Sequence, residues 1–264
     1  MTADLKTRFG PTALVTGASD GIGRAFAEAL AERGFDLVLI ARREVVLQGL
    51  ARELIARHGV TVTVIAADLS APGAVTETLA RTEAQPIGLL VAAAGFGSTG
   101  AFLDLDPGTE AGMVDLNCRS VVELTHGLGR RMAAQGRGGI VLFSSVLGFS
   151  GAPFSSTYAA TKGFIQSFAE GLAVELRPLG IPVLSVAPGP VASGFAARAR
   201  MQVSRTDTPE TVARASLAAL PRGGTLRPGV MGKLLGWSLA MMPRWGRVRV
   251  LGQIMKGAAS RARG

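Results

Sequence analysis

The strongest constraint on the fold of this chain is an alternation of short, almost wholly apolar runs with longer stretches of helical spacing. The runs read as strands at Thr12–Thr16, Leu37–Ala41, Val60–Ala66, Gly88–Ala92, Ile140–Ser144 and Ile181–Ala187. The stretches between them read as helices at Ile22–Arg33, Glu44–His58, Gly73–Ala84, Thr109–Ala134 and Ser156–Arg177. Strands that are apolar throughout are typical of parallel sheets covered on both faces. The sequence therefore predicts an α/β fold, a doubly wound parallel sheet of the Rossmann type in three layers.

Composition narrows the class of protein. The 264 residues are 48% hydrophobic and 18% charged, which predicts a large buried core. The single cysteine, Cys118, excludes a disulfide scaffold and a cysteine-built zinc site. Because the N-terminus lacks a signal-like apolar stretch and no run of about 18 apolar residues occurs, we expect a soluble, cytoplasmic protein. We expect one domain over residues 1–264, with a basic, apolar extension from about residue 222 to residue 264.

The net charge of +9 resides in the last fifth of the chain, since ten basic residues and no acidic residue follow Glu210. Aromatic residues make up 5% and are not interleaved with the basic ones, so no nucleic-acid partner is predicted. The segment Gly232–Met255 mixes basic and large apolar residues. This mixture favours a subunit contact or a substrate lid, and leaves open a peripheral membrane contact or attraction to an acidic acyl carrier.

A glycine-rich turn joins the first predicted strand to the first predicted helix. Residues 15–23 read Val-Thr-Gly-Ala-Ser-Asp-Gly-Ile-Gly. Glycines at such a turn let the backbone approach a pyrophosphate, and the helix N-terminus offers free N–H groups and the positive end of a dipole. The alternative is an ordinary tight turn. The predicted dinucleotide contacts in this loop are Gly17, Ser19, Asp20, Gly21, Ile22 and Gly23.

The end of the second predicted strand favours NADP over NAD. A Rossmann fold that prefers NAD places an acidic residue there, against the ribose 2′-hydroxyl. This chain instead has Arg42 and Arg43. A guanidinium forms charge-assisted, bidentate hydrogen bonds to phosphate, which suits the 2′-phosphate of NADP. The alternative is a pair of solvated arginines at the start of a helix.

Four residues are candidates for chemistry. Tyr158 is the only tyrosine, and Lys162, one of only four lysines, follows at i+4 on the same predicted helical face. A nearby ammonium favours phenolate and lowers the pKa of a tyrosine, as a general acid–base requires; the alternative is a half-buried tyrosine beside a solvated lysine. Ser145 follows a strand at the sheet edge where ligands bind. Asn117 lies within a predicted helix. Because asparagine is a poor helix former, its presence there indicates another role, such as hydrogen bonding.

These motifs, in this order over about residues 10–195, resemble the short-chain dehydrogenase/reductase family in its single-domain branch. The shared elements are residues 16–23, Asn117, Ser145, Tyr158-x-x-x-Lys162 and Pro188-Gly189. The resemblance implies that Tyr158 exchanges a proton with a carbonyl or alcohol oxygen, which Ser145 polarises. It further implies that Lys162 binds the nicotinamide ribose and lowers the tyrosine pKa, while Asn117 holds a water in a proton relay. The further cofactor contacts that it implies are Asp68, Gly95, Pro188, Gly189, Val191 and Ser193.

The chain also departs from the family pattern. Ala92 and Ala93 replace the family's Asn-Asn, a change expected to remove hydrogen bonds that brace the sheet near the cofactor. The usual C-terminal strand ending in Asp-Gly-Gly is expected to be missing, with Thr225–Val230 as its nearest substitute.

The resemblance predicts an NADP-dependent oxidoreductase that moves a hydride between nicotinamide and a carbonyl or secondary alcohol, working as a homodimer or homotetramer. A hydrophobic ketone, a hydroxysteroid-like compound or a 3-oxoacyl thioester is the predicted substrate. Alternatives are a non-catalytic dinucleotide-binding regulatory protein and a nucleotide-sugar epimerase. Residues that would suit an apolar pocket, or simply the core or an interface, are Phe96, Leu147, Phe149, Phe154, Phe195 and Met201.

Overall fold

A parallel sheet of seven strands organises the computed structural model, which describes residues 5–192, 194, 207–229 and 241–261. The strands are β1 (Thr12–Thr16), β2 (Asp36–Ala41), β3 (Val62–Ala66), β4 (Ile87–Ala92), β5 (Gly139–Phe143), β6 (Val183–Val186) and β7 (Gly224–Leu226). Their order is β3-β2-β1-β4-β5-β6-β7. The direction of winding reverses between β1 and β4, which is the point where doubly wound sheets bind ligands. The predicted fold class is confirmed.

Helices cover both faces of this sheet. They are α1 (Leu5–Phe9), α2 (Gly21–Ala31), α3 (Glu44–His58), α4 (Ala74–Arg81), α5 (Pro107–Val114), α6 (Ser120–Ala134), α7 (Ser156–Glu175), α8 (Pro209–Ala219) and α9 (Arg244–Arg261). Alternate strand residues enter two separate cores: Ala13 and Val15 of β1 join one, while Leu14 joins the other. Both faces are therefore buried, as the apolar runs predicted. Among the described residues, no helix combines the length and apolar character needed to cross a bilayer.

The structure refines two expectations. The predicted helix Thr109–Ala134 begins at Pro107, where Asp106 accepts a capping hydrogen bond from the Thr109 amide, and a π-helical turn at Asp115–Arg119 separates α5 from α6. The final strand is present: β7 pairs in parallel with β6 from Leu184 to Val186, and it overlaps the segment Thr225–Val230 that the sequence indicated as the nearest substitute. Ser193, Phe195, Met201 and residues 230–240 lie outside the described residues.

Candidate active site

The glycine-rich turn between β1 and α2 lies at the carboxyl edge of the sheet. Gly17 has a φ of +67°, and a Cβ atom there would lie 2.9 Å from the Ala94 amide nitrogen. A Cβ atom on Gly23 would collide with the carbonyl oxygen of Gly17. Asp20, the N-cap of α2, places no side-chain hydrogen bond on the first helical turn, so these amides remain available to a phosphate. The turn forms a cradle that side chains at Gly17 and Gly23 would fill.

A cavity of about 890 Å³ extends from this cradle. Of the residues that the sequence predicted for the site, those lining it are Gly17, Ser19, Asp20, Gly21, Ile22, Gly23, Arg42, Arg43, Asp68, Gly95, Ser145, Tyr158, Lys162, Pro188, Gly189 and Val191. Asn117 stands behind the wall formed in part by its neighbour Leu116. The fold thus brings the glycine loop, the two arginines and the Ser-Tyr-Lys set to one cavity, although they are distant in sequence.

Tyr158 is buried on the first turn of α7, beside Ser145. Burial raises the pKa of the Tyr158 phenol to about 12, against the opposing effect of a hydrogen bond with Ser145. The sequence-based expectation was a pKa lowered toward working pH. In the structure burial outweighs the contact that favours phenolate, so the phenol is neutral at neutral pH and able to donate its proton.

Lys162 lies one helical turn after Tyr158 and is only 7% exposed. Its Nζ donates a hydrogen bond of 2.8 Å to the Phe143 carbonyl oxygen and lies 5.6 Å from the centre of the Tyr158 ring. Burial lowers the pKa of this ammonium to about 8. A Cβ atom on Gly95 would be in ordinary contact with Nζ at 3.6 Å but would lie only 2.9 Å from Asn117 Oδ1, so the glycine keeps space for the asparagine side chain.

Asn117 occupies the π-helical turn between α5 and α6 and is buried. Its Nδ2 donates to the Phe96 carbonyl oxygen at 2.9 Å and to Thr161 Oγ1 at 3.1 Å, while its Oδ1 accepts from the Phe96 amide at 3.2 Å. The side chain therefore ties the turn after β4 to α7. Its role in holding a water stays a prediction. The adjacent Cys118 is buried, which raises the pKa of its thiol to about 11 and fits packing rather than nucleophilic chemistry.

Two exposed guanidiniums stand beside the glycine loop. Arg43 donates to the Ser19 carbonyl oxygen at 2.8 Å and to its Oγ at 3.0 Å, and Arg42 Nη1 lies 3.8 Å from Asp68. Burial by itself raises the pKa of Asp68, but hydrogen bonds from Ser70 and the charge of Arg42 outweigh it and hold the pKa below its usual value. A glycine cradle, available helix amides and two cations together fit a phosphorylated dinucleotide.

Helix α9 forms part of the cavity wall, a role that the sequence indicated only as one alternative, a substrate lid. Leu251, Ile254 and Met255 line the cavity, and Leu251 packs against Ala152 and Ala159 near the catalytic candidates. No local motif signals this contact, because it depends on tertiary packing.

Only some of the residues predicted for an apolar pocket line this cavity. Phe96 and Leu147 line the same cavity. Phe149 instead lines a smaller cavity beside α7, with the Arg227 guanidinium 4.3 Å from the centre of its ring. Phe154 does not line the main cavity and adopts a φ of 65°. The apolar wall is thus built from the turn after β4, the segment after β5, and α9.

Comparison with known proteins agrees with this geometry. The family model described as short chain dehydrogenase matches residues 11–204. The 7beta-hydroxysteroid dehydrogenase of Collinsella aerofaciens is 33% identical over 180 residues, which are 68% of this chain and 68% of the relative. The very-long-chain 3-oxoacyl-CoA reductase of Macaca fascicularis is 30% identical over 240 residues, 89% of this chain and 77% of the relative. A solved short-chain dehydrogenase from Sphingobium yanoikuyae in complex with NADPH has a TM-score of 0.80 and 31% identity, covering 89% of this chain and 97% of that one.

Proposed function

This chain belongs to the short-chain dehydrogenase/reductase family and is an oxidoreductase, and we propose that it moves a hydride between NADP and the carbonyl or secondary alcohol of a hydrophobic substrate. One observation carries the proposal: Ser145, Tyr158 and Lys162 line the cavity that also holds the glycine cradle. A nicotinamide cofactor supplies or accepts the hydride. The chain must therefore bind the dinucleotide, orient the substrate oxygen and manage one proton.

The preference for NADP is supported by the two arginines beside the cradle. Arg43 is already oriented by its hydrogen bonds to Ser19, so little conformational freedom is lost when its charge meets a phosphate. Arg42 is exposed and has only a 3.8 Å contact with Asp68, a pairing that a nearby phosphate could replace. These residues would hold the 2′-phosphate that distinguishes NADP from NAD.

Tyr158 is the proposed donor of the proton that the substrate oxygen takes up. A phenol with a raised pKa keeps its proton until a stronger base, the alkoxide formed as a ketone accepts hydride, appears beside it. The Ser145 hydroxyl, hydrogen-bonded to Tyr158, would donate to the same substrate oxygen. The Lys162 ammonium would stabilise the phenolate left behind. In ketone reduction Tyr158 donates this proton, and in alcohol oxidation the same group accepts it.

The substrate is proposed to be hydrophobic because much of the cavity wall is apolar. Phe96, Leu147, Leu251, Ile254 and Met255 contribute to it. The two relatives named for a 7beta-hydroxysteroid and for very-long-chain 3-oxoacyl-CoA support this substrate class. A steroidal ketone and a long-chain 3-oxoacyl thioester are therefore the first compounds to test.

The test is a panel of aliphatic, steroidal and 3-oxoacyl-thioester ketones, followed by NADPH absorbance with NADH in parallel. We expect turnover with NADPH on at least one hydrophobic member. Tyr158→Phe should lower kcat by about a hundredfold or more, the range of general acid catalysis. Ser156→Ala, exposed on the same helical turn, is the control and should keep the wild-type rate. A Tyr158→Phe variant with near wild-type turnover would remove the proposed acid, and tight NADPH binding without turnover of any ketone would favour a regulatory protein.

A further inference from the structure

Helix α9 and the residues just before it expose large apolar side chains beside basic ones. Met241 is 80% exposed, Trp245 is 67% exposed and Ile254 is 52% exposed. Arg249 lies over the Trp245 ring at 5.6 Å from its centre. Met241, Trp245 and Arg249 belong neither to the buried core nor to the lining of the catalytic cavity. Apolar side chains that are exposed next to basic ones make this part of α9 a candidate contact surface.

The two faces of α9 have opposite environments. Leu251 and Met255, at i and i+4, are each 2% exposed, so this face is anchored on the body of the protein. Trp245, Arg249 and Lys256 follow one another at intervals of four and seven residues, share another face and are exposed. The helix is thus held in place by one side and presents an aromatic and cationic side outward.

The charge of this surface selects its partner. The chain has ten basic residues and no acidic residue after Glu210, so α9 is a purely cationic helix. Tryptophan prefers the boundary between water and lipid, and basic residues on an interfacial helix attract anionic headgroups. A folded acidic protein would pair with the cations but would leave Met241 and Trp245 exposed to water unless it carried a matching apolar patch.

We propose that the exposed face of α9 docks this protein on an anionic lipid surface. Ile254 follows Trp245 by nine residues, or about two and a half helical turns, so it lies on the opposite side of α9 from Trp245. It lines the catalytic cavity and therefore belongs to the substrate wall rather than to the docking face. The docking itself does not depend on the proposed reaction, and it is tested without turnover.

The experiment uses Trp245 as its own probe. The chain has two tryptophans, and Trp237→Phe leaves Trp245 as the only one. The 264-residue chain with this substitution is mixed with vesicles of phosphatidylcholine alone, or of phosphatidylcholine and phosphatidylglycerol in equal parts. We expect a blue shift of the Trp245 emission, and quenching by brominated lipid, with the anionic vesicles only. Raising the salt concentration should reverse both effects because it screens the attraction.

Charge reversal supplies the matched pair of variants. Arg249→Glu/Lys256→Glu should weaken binding to anionic vesicles by about tenfold or more, since four units of charge change at the surface. Arg52→Glu/Arg130→Glu changes the net charge equally on the exposed faces of α3 and α6, and should keep most of the binding. Equal binding of both variants, equal binding to neutral vesicles, or no shift at all would overturn the proposal. A blue shift that grows with protein concentration in the absence of vesicles would assign α9 to a second copy of this chain instead, and would also overturn it.

Discussion

The buried ammonium of Lys162 has a consequence for stability that can be measured without a substrate. Burial lowers the pKa of Lys162 from its ordinary 10.5 to about 8 in the folded chain. A difference of about 2.5 pKa units corresponds to about 3 kcal/mol of free energy that disfavours folding whenever the lysine is charged in both states. Lys162→Met removes this cost but also removes the hydrogen bond to Phe143, which contributes about 1.5–3 kcal/mol. Since these effects are of similar size, stability at a single pH does not separate them.

The pH dependence does separate them. The folded-state pKa lies below the unfolded one, so the unfolded chain binds more protons between about pH 8 and about pH 10.5, and stability rises with pH across this window. Below about pH 8 the full cost is present, and above about pH 10.5 it is gone. Between about pH 7 and about pH 9.5 we expect the wild type to gain about 2 kcal/mol relative to Lys162→Met. Tyr158 contributes to the pH dependence of stability in both proteins, so its contribution largely cancels when the free energy of unfolding of Lys162→Met is subtracted from that of the wild type.

The assay is urea unfolding of both proteins at each pH, followed by far-UV circular dichroism and extrapolated to water. Lys256→Met, which removes an exposed lysine from α9, controls for the loss of one positive charge and should run parallel to the wild type. Parallel profiles for wild type and Lys162→Met would refute the reasoning, because they would show that the lysine takes up the same number of protons in both states. A wild type that loses stability relative to the variant as pH rises would refute it as well.

Two further predictions concern the cofactor cradle. Arg42→Ala and Arg43→Ala should raise the KM for NADPH by about ten- to a hundredfold, as expected for a lost charge-assisted hydrogen bond, and leave the KM for NADH nearly unchanged. If the ratio of these two KM values did not change, the two arginines would not be the residues that hold the 2′-phosphate. Gly23→Ala should lower both the melting temperature and the affinity for NADPH measured by calorimetry, because the methyl group collides with the Gly17 carbonyl. Its control is Gly49→Ala on α3, where a Cβ meets nothing within 4 Å and should add up to about 1 kcal/mol of stability; equal behaviour of the two variants would contradict the close packing of loop and helix.

The parts of the fold that sequence predicted are those where the physical signal is local. Strand β1 was predicted because its central residues Ala13–Val15 are apolar, and Ala13 and Leu14 do enter cores on opposite faces of the sheet. Strand β7 lacks that signal: it has three residues, lies at the sheet edge and is partly exposed. It forms because the β6 backbone offers it a parallel partner. The sequence indicated Thr225–Val230 only as the nearest substitute for the family's final strand, because the pairing itself depends on tertiary structure.

The same distinction applies to the candidate site. The spacing of Tyr158 and Lys162 already places both side chains on one helical face. The shifts of their pKa values depend on burial, which many distant residues produce together, so the sequence predicted the wrong direction for Tyr158. Asn117 was noticed because asparagine is unfavourable within a helix. Its hydrogen bonds to the Phe96 backbone were not predictable, because they depend on how the turn after β4 packs against the π-helical turn.

The turn after β4 also shows how this chain manages without the family's Asn-Asn pair. Ala92 and Ala93 stand at those positions and have no side-chain hydrogen-bonding groups. The Ala94 amide instead donates a hydrogen bond of 2.9 Å to Thr16 Oγ1, at the end of β1. Two residues after Ala94, the backbone of Phe96 is held by hydrogen bonds to the Asn117 side chain. Side chains of neighbouring elements thus brace the turn from outside.

Thr16→Val tests this bracing directly, because valine keeps the shape of the buried threonine and replaces its hydroxyl with a methyl group. The Ala94 amide would then be left in a partly buried position without this partner, at a cost of about 1–3 kcal/mol. We expect a lower free energy of unfolding and a severalfold higher KM for NADPH, because Ala94 and Gly95 line the cofactor cavity. Thr12→Val, at the other end of β1, changes the same group away from the cavity and should leave this KM unchanged. If the two variants unfold at the same urea concentration and share one KM, the hydroxyl of Thr16 does not support the turn, and its rigidity must come from the Asn117 contacts alone.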